Sequence, residues 1–517
     1  MKLRALWLPG ALLLSANAFA TTWTVTNTAD TAGSCSSSCT LRAAINSAGA
    51  GDTITFANAI NGSTIALTLS SNDTSVGSTE FGPSAFFLTN GAALTIDGSG
   101  HGITIARLAT QPAFRLFDID ASSSLTLIGL TLRNGLARGG SSYGGGGALG
   151  AGGAIFNQGT LMMEECTLAQ NAAQGGSGGV GTGSASGGAG VGGDVAGVDG
   201  SGPNGAPAGA PPRNAGFGGG GGTAQGTNEP GGNGGFGGGG GNGTAAGGSG
   251  GFGGGGGGGG NTSAKGIGGF GGGQSGGDLE HPSTGGGGAG MGGAIFNDAG
   301  SVTLTNVTFY ENTATGGNAP GGNGSGYGGA IFNYAGSLTL GFVTLSANAT
   351  ATGTGGTGGA ADGGAIYSHG DSNCGINDGN PCSGGGTATL ALLNTIAARS
   401  TGAVSDIVID ATNGSSTVDA ASVGNLVMTS TGIPTAAIAT HADPQLGSPS
   451  PATLAPATLP IAQTSPAYNA AASCTDDTKG TQVNTDERGV SRPYGASCDI
   501  GAYEYDGDYI FANGFDY

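Results

Sequence analysis

The chain reads as an all-β solenoid, and three features of its 517 residues predict that class. The first is a phrase written four times: Gly152-Gly153-Ala154-Ile155-Phe156-Asn157, Gly292-Gly293-Ala294-Ile295-Phe296-Asn297, Gly328-Gly329-Ala330-Ile331-Phe332-Asn333 and Gly363-Gly364-Ala365-Ile366-Tyr367-Ser368. The second is a partner phrase after each copy, such as Ser301-Val302-Thr303-Leu304 followed by Val307-Thr308-Phe309, or Ser337-Leu338-Thr339-Leu340 followed by Val343-Thr344-Leu345. The third is length: Gly292 to Asn312 and Gly328 to Asn348 each span 21 residues. Self-similarity at a short period is the signature of a repeat architecture. Twenty-one residues hold three short strands but no helical crossovers, so each unit suits one coil whose strands pair with the coils above and below. Within the unit, the Gly pair allows a turn at positive φ, and the Ile and Asn positions stack into columns. Asn157, Asn297 and Asn333 are placed to form a side-chain ladder.

In chain order, residues 1–20 carry the marks of a secretory signal peptide. Lys2 and Arg4 form a basic start, Ala5 to Leu14 an apolar run, and Ala18-Phe19-Ala20 a small-x-small cleavage pattern, which places the mature start near Thr21. Residues 21–60 predict strand, short helix and strand, with Leu41, Ala44 and Ile45 on one helical face, an N-terminal cap over the first coil. Residues 61–173 and 291–443 hold the β-helix coils. Between them, residues 174–290 are dominated by Gly with no hydrophobic period. They read as an insertion looping out of one corner and adding little to the core; packed polyglycine-like strands along the solenoid are the alternative. Residues 444–505 change in texture and form a closing module, and residues 506–517 a short tail.

Charged residues make up only 9%, Lys+Arg 13 against Asp+Glu 32, for a net charge of −19. Such a surface argues against nucleic acid as a partner. No later stretch is long and apolar enough for a transmembrane helix. Of seven Cys, three local pairs suit disulfides in an exported chain: Cys35 with Cys39, Cys374 with Cys382, and Cys474 with Cys498. Cys166 is left over in a strand phrase. The Gly-Gly-Asp pieces at 192–194 and 276–278 lack the register of a calcium-binding nonapeptide repeat, and no cofactor is expected.

The Gly-Gly-Ala-Ile-Phe-Asn phrase with its partner strands resembles the repeat of polymorphic outer-membrane proteins, which implies a right-handed parallel β-helix on a bacterial surface. Cys39-Thr40-Leu41-Arg42-Ala43-Ala44-Ile45 resembles the CSLREA segment at the start of many bacterial surface β-helix proteins, with Thr for Ser and Ala for Glu. Asp443-Pro444, Ser465-Pro466-Ala467-Tyr468, Asp486-Glu487-Arg488-Gly489 and Ile500-Gly501-Ala502-Tyr503 resemble the choice-of-anchor Q module that closes many such chains. The tail from Asp508 resembles a short Ile-Phe-x-x-Gly-Phe-acid ending of exported Gram-negative proteins. These resemblances imply an exported, secreted or cell-surface protein; the long, repetitive, low-charge scaffold and the signal sequence point to an adhesin-like or structural role, and the sequence leaves the surface ligand, a glycan or another cell, open.

The same fold also carries polysaccharide lyases and glycoside hydrolases, so a catalytic reading needs its own residues. Hydrolysis needs two carboxylates facing one groove. Asp118 with Asp120, Glu164 with Glu165, and Asp362 with Asp371 are the candidates, and strand alternation puts Glu164 and Glu165 on opposite faces. His101, His281, His369 and His441 lie far apart without evident partners. Arg107, Arg115 and Arg133 form the one basic cluster. None of these makes a catalytic set, and the expectation is a non-enzymatic protein, with a polysaccharide-degrading enzyme as the alternative.

Overall fold

In the computed structural model, the described residues run from 20 to 507, apart from 36–37, 73–77, 79, 181–185, 196, 261–263, 277–283, 373–385, 453 and 477–479. Residues 1–19 of the expected signal peptide, the Cys374 and Cys382 pair, His281 and the tail from Asp508 therefore lie outside the described residues.

The chain is nearly all β, built of long parallel sheets compatible with an all-β parallel solenoid. One sheet has 16 strands and another 8, and nearly every pairing is parallel, between one repeat and the next. The 8-stranded sheet stacks the first phrase: Ile155 pairs with Ile295, Ile295 with Ile331, Ile331 with Ile366 and Ile366 with Ile407. All five are fully buried. Its Asn column is hydrogen-bonded along the stack, from Asn157 Nδ2 to Asn297 Oδ1 at 2.8 Å and from Asn297 Nδ2 to Asn333 Oδ1 at 2.8 Å, ending on Ser368 Oγ at 3.2 Å. A second ladder joins Asn171, Asn312 and Asn348 at 3.0 and 2.9 Å.

The two glycines of each phrase do different things. Gly152, Gly292, Gly328 and Gly363 turn the chain at φ of 63, 64, 63 and 60°. Gly153, Gly293 and Gly329 have ordinary φ, but a Cβ there would overlap the carbonyl oxygen of the corresponding glycine one coil on.

At the N-terminus, the strand Thr22–Val25, the helix Leu41–Ser47 and the strand Asp52–Phe56 follow in order. Thr40 caps the helix by accepting from Ala43 N at 3.1 Å. Leu41 and Ala44 enter the main core, with Ile45 packed against it. Cys35 and Cys39 lie at disulfide distance, as do Cys474 and Cys498, with Cα separations of 4.3 and 5.7 Å. Cys166 is a buried free thiol.

The glycine-rich stretch corrects the looped-out expectation. Gly-Phe-Gly-Gly-Gly recurs from Gly216, Gly235, Gly251 and Gly269, and residues 217–224, 234–243 and 252–259 are buried. The chain runs back and forth in threads that bond to several neighbours at once. Gly239, Gly240 and Gly241 donate to Ala189 O, Gly255 O and Gly232 O at 2.8, 2.9 and 2.8 Å. No side chain fits between such threads: a Cβ on Gly238 or Gly254 would overlap the carbonyl of Gly219 or Gly238. This is the packed-polyglycine alternative, and it satisfies buried backbone groups that a looped segment would leave to water.

Each thread offers one ring. Phe217, Phe236, Phe252 and Phe270 stack at centroid spacings of 5.6, 5.1 and 5.4 Å. They lie against a matching ladder on the solenoid, Phe156, Phe296, Phe332 and Tyr367, at 5.5, 5.2 and 5.4 Å. Phe252 meets Phe332 edge-on at 6.1 Å, and Phe236 meets Phe296 at 6.4 Å. The slab is thus part of the core.

Candidate functional site

The partner phrase Leu-Thr-Leu/Val-Thr-Phe bends between its two halves. Glu165, Asn306, Phe342 and Asn394 sit at that bend with φ of 52, 52, 55 and 50°, a left-handed conformation that L-residues adopt singly and at a cost. The bend breaks strand alternation. Glu164 is exposed and Glu165 half-buried, so both carboxyls stay outside the core, a correction to the opposite-face expectation. Cys166 and Val307, one residue on, are fully buried.

This column of bends carries the C-terminal segment. Thr485 Oγ1 donates to Glu165 Oε1 at 3.2 Å, and Asn306 Nδ2 donates to Thr485 O at 2.9 Å. Arg492 lies over the Phe342 ring at 4.4 Å. Asn394 Nδ2 donates to Ser473 O, and its Oδ1 accepts from Ala472 N, both at 2.8 Å. Residues 444–505 therefore lie along the flank of the stack, from Gly102, against which Leu454 packs, to Leu426, which shares a core with Leu446, Leu459 and Ile461.

A second column engages the same segment. The Thr167 and Thr308 hydroxyls lie 2.6 and 2.5 Å from the two carboxyl oxygens of Glu487, and Ala502 N donates to Thr344 Oγ1 at 2.9 Å. Glu487 is 1% exposed, and burial pushes its carboxyl well above the ordinary glutamate range. The segment's own cations are engaged elsewhere: Arg488 with Asp486 at 2.7 Å and over the Tyr503 ring, Arg492 with Glu504 at 2.9 Å.

Beside this junction lies a cavity of about 470 Å³. Its floor is the outer face of the long sheet, with Thr160, Glu164, Thr303 and Thr305, and residues 476 and 481–485 form the other wall. Glu164 and Asp476 are its charged lining groups among the described residues. Burial raises the carboxyl of neighbouring Glu165 above its ordinary value. A second hollow, of about 380 Å³, opens on the other side of Thr160, along the Gly159, Gly300 and Gly336 corner. Along the second hollow the sheet presents a register-locked column of hydroxyls, Ser124, Thr160, Ser301, Ser337, Thr389 and Thr417, one per coil, of which Thr160, Ser301, Ser337 and Thr389 line the hollow and Thr160 reaches the first as well. Strand pairing spaces these rungs at about 4.8 Å.

The other sequence candidates are placed apart. Asp118 is buried against Arg115 at 3.5 Å and accepts from Phe81 N; burial outweighs the guanidinium and pushes its carboxyl up to about 7. Asp120 instead closes a turn on Ser122 and Asn90, so the two do not face one groove. Asp362 and Asp371 lie on different sheets. Asp362 accepts from Ser405 N, and Asp371 from the Tyr334 hydroxyl. Arg107 and Arg115 point their guanidinium groups at backbone carbonyls, and Arg133 bonds Gln170, so they form no cation patch. His101 bonds Asn61 and His441 bonds Val427 O. His369 has a partner that its neighbours in sequence did not suggest: its Nδ1 lies 2.9 Å from Asp410 Oδ2, which also accepts from Tyr367 Oη. Although burial works the other way, hydrogen bonds from His369 and Thr412 hold Asp410 below the usual carboxylate range. The signal was one of register, since His369 and Asp410 are directly paired on adjacent strands. Among the described residues, no group of three or more His, Cys, Asp or Glu is placed to hold a metal ion.

No family model, curated protein or solved structure matches this chain.

Proposed function

We propose that this is an exported, non-enzymatic β-helix protein, adhesin-like or structural, whose outer sheet face holds a surface ligand of polyhydroxyl character such as a glycan. The single observation that carries this reading is the six-rung hydroxyl column, four of whose rungs, Thr160, Ser301, Ser337 and Thr389, line one hollow. Hydroxyls at fixed spacing both donate and accept, so they suit a linear polymer that does the same. The repeat phrases support a polymorphic outer-membrane-protein-like scaffold with coils winding right-handed, the sense favoured for parallel crossovers. Two cysteine pairs at disulfide distance, and no helix among the described residues long and apolar enough to cross a membrane, are compatible with export. The buried acids Asp118 and Glu487 support a structural rather than catalytic use of ionisable groups, since each ties one coil to another part of the chain.

The test is a glycan-binding screen of the mature chain beside a variant with Thr160→Val, Ser301→Ala and Ser337→Ala. Loss of binding by roughly tenfold or more in the variant is expected, at about 1 kcal/mol or less for each hydroxyl contact. Binding that survives the triple change removes the hydroxyl column as the site.

A second reading, a polysaccharide-degrading enzyme, draws on Glu164 and Asp476 lining one cavity beside Glu165, whose carboxyl burial raises above its ordinary value. Turnover of uronate or neutral glycans that Glu164→Gln abolishes would favour it over the binding role.

A further inference from the structure

The proton count at Glu487 is set by its neighbours. The Thr167 hydroxyl has one hydrogen and two acceptors in reach, Ala457 O at 2.9 Å and Glu487 Oε1 at 2.6 Å. If it donates to the carbonyl, the short contact to Glu487 is a hydrogen bond only when the carboxyl supplies the proton. No described cation faces this carboxyl. Arg488 turns to Asp486 and Asp506, and Arg492 to Glu504. The titratable groups around it are Glu165, Cys166 and Tyr310 on the coils and Asp486 on its own segment. An ionised Glu487 would add a second negative charge beside these acids, in a site 1% exposed.

We propose that the C-terminal segment is an acid-closed latch: it docks along the coils while Glu487 is protonated and loosens when Glu487 ionises. The same stretch walls the cavity, through residues 476 and 481–485, and Thr485 is two residues from the latch. Opening the latch therefore removes one wall of the cavity while the coils stay stacked. The latch stands whether or not the cavity binds a glycan.

The direction follows from linkage. A carboxyl whose folded pKa is raised holds its proton in the docked state at pH values where the released state has lost it. Docking is thus strongest below the ordinary glutamate pKa and weakens as pH climbs above it. Asp499, in the same segment, is also raised, to about 6 by burial, and burial raises Glu165, which faces Thr485 of that segment; both titrate in the same sense, so a variant must separate Glu487 from them.

Hydrogen exchange on the whole mature chain tests this, read as protection factors for residues 481–505 at about pH 5 and about pH 9. In the wild type, protection is expected to fall by roughly tenfold or more between the two, with the coil strands unchanged. Glu487→Gln keeps the shape and the hydroxyl contacts without a charge, so its protection should stay high at both. Equal protection at both pH values in the wild type overturns the latch by itself, whatever the variant does. A Glu487→Gln protein that folds but loosens with pH as the wild type does also overturns it, and moves the switch to Asp499 or Glu165.

Discussion

The solenoid and the glycine-rich slab bury the same side chain, phenylalanine, by opposite means. In the solenoid, Phe156, Phe296 and Phe332 each sit in a strand whose backbone groups pair with the coils on either side. Branched and aromatic neighbours fill the space around them, as in most sheets. In the slab, Phe217, Phe236 and Phe252 stand on threads with almost no other side chains, and glycine after glycine bonds to a different neighbour. The first arrangement tolerates variety at each position provided the pattern holds. The second tolerates almost none, because the space between threads is already filled by carbonyl oxygens. Low hydrophobic content therefore does not make a segment peripheral. A thread that brings one ring per pass can complete a core, provided the other ring is supplied from outside.

The strongest way to break this comparison is to remove the slab. Replacing residues 177–287 with a linker like the 15 residues between Asn312 and Gly328 uncovers Phe81, Phe296, Phe332 and Tyr334, all fully buried and in contact with the slab's rings. At about 1.5–3 kcal/mol per ring, the loss is on the order of 6 kcal/mol or more. The expected outcome is aggregation or a melting temperature far below that of the intact chain, followed by circular dichroism. A deletion that melts as the intact chain does would return the slab to the status of a loop.

Single residues sharpen it. Phe252→Ala should destabilise by about 3–5 kcal/mol, as for a core ring elsewhere, measured by denaturant titration. Gly254→Ala adds only a methyl, yet drives it into the Gly238 carbonyl, and should cost about 1–3 kcal/mol or more. Gly197→Ala, with nothing within 4 Å of the added carbon, should lie within about 0.5 kcal/mol of the wild type. Equal effects at Gly254 and Gly197 would mean that the threads are not close-packed.

The smallest effect belongs to the solenoid's own polar column. Asn297→Ala breaks the ladder on both sides and leaves the amide of Asn157 and the carbonyl of Asn333 short of a partner. A loss of about 1–3 kcal/mol is expected in the same titration. A neutral result would make the Asn column a packing feature alone.

How much of this could be read from residues depends on the range of the interaction. The Ile and Asn columns were legible because a fixed phrase repeated at fixed spacing leaves one register open. The bend at Glu165 was not, since a left-handed Glu has no local mark; only alignment with Gly129 and Asn306 at the same place in neighbouring coils points to it. The slab had a signal that composition hides, the four Gly-Phe-Gly-Gly-Gly pieces 19, 16 and 18 residues apart. The flank docking of residues 444–505 rests on contacts such as Thr167 to Glu487, 320 residues apart, for which no local pattern exists.

That long contact changes how the molecule comes apart. A stack of repeats held only by nearest neighbours can fray from either end, one unit at a time. Here residues 444–505 reach back over coils made early in the chain, with Leu454 beside Gly102 and Thr485 on Glu165. Likewise, the coil after the glycine-rich stretch pairs with one made 140 residues earlier, Asn157 with Asn297. A coil under this seam cannot leave the stack without tearing it, so the covered repeats lose their independence and unravel together. During synthesis the reverse holds: the early coils wait, with an open edge, until the distant segments that cover them have left the ribosome.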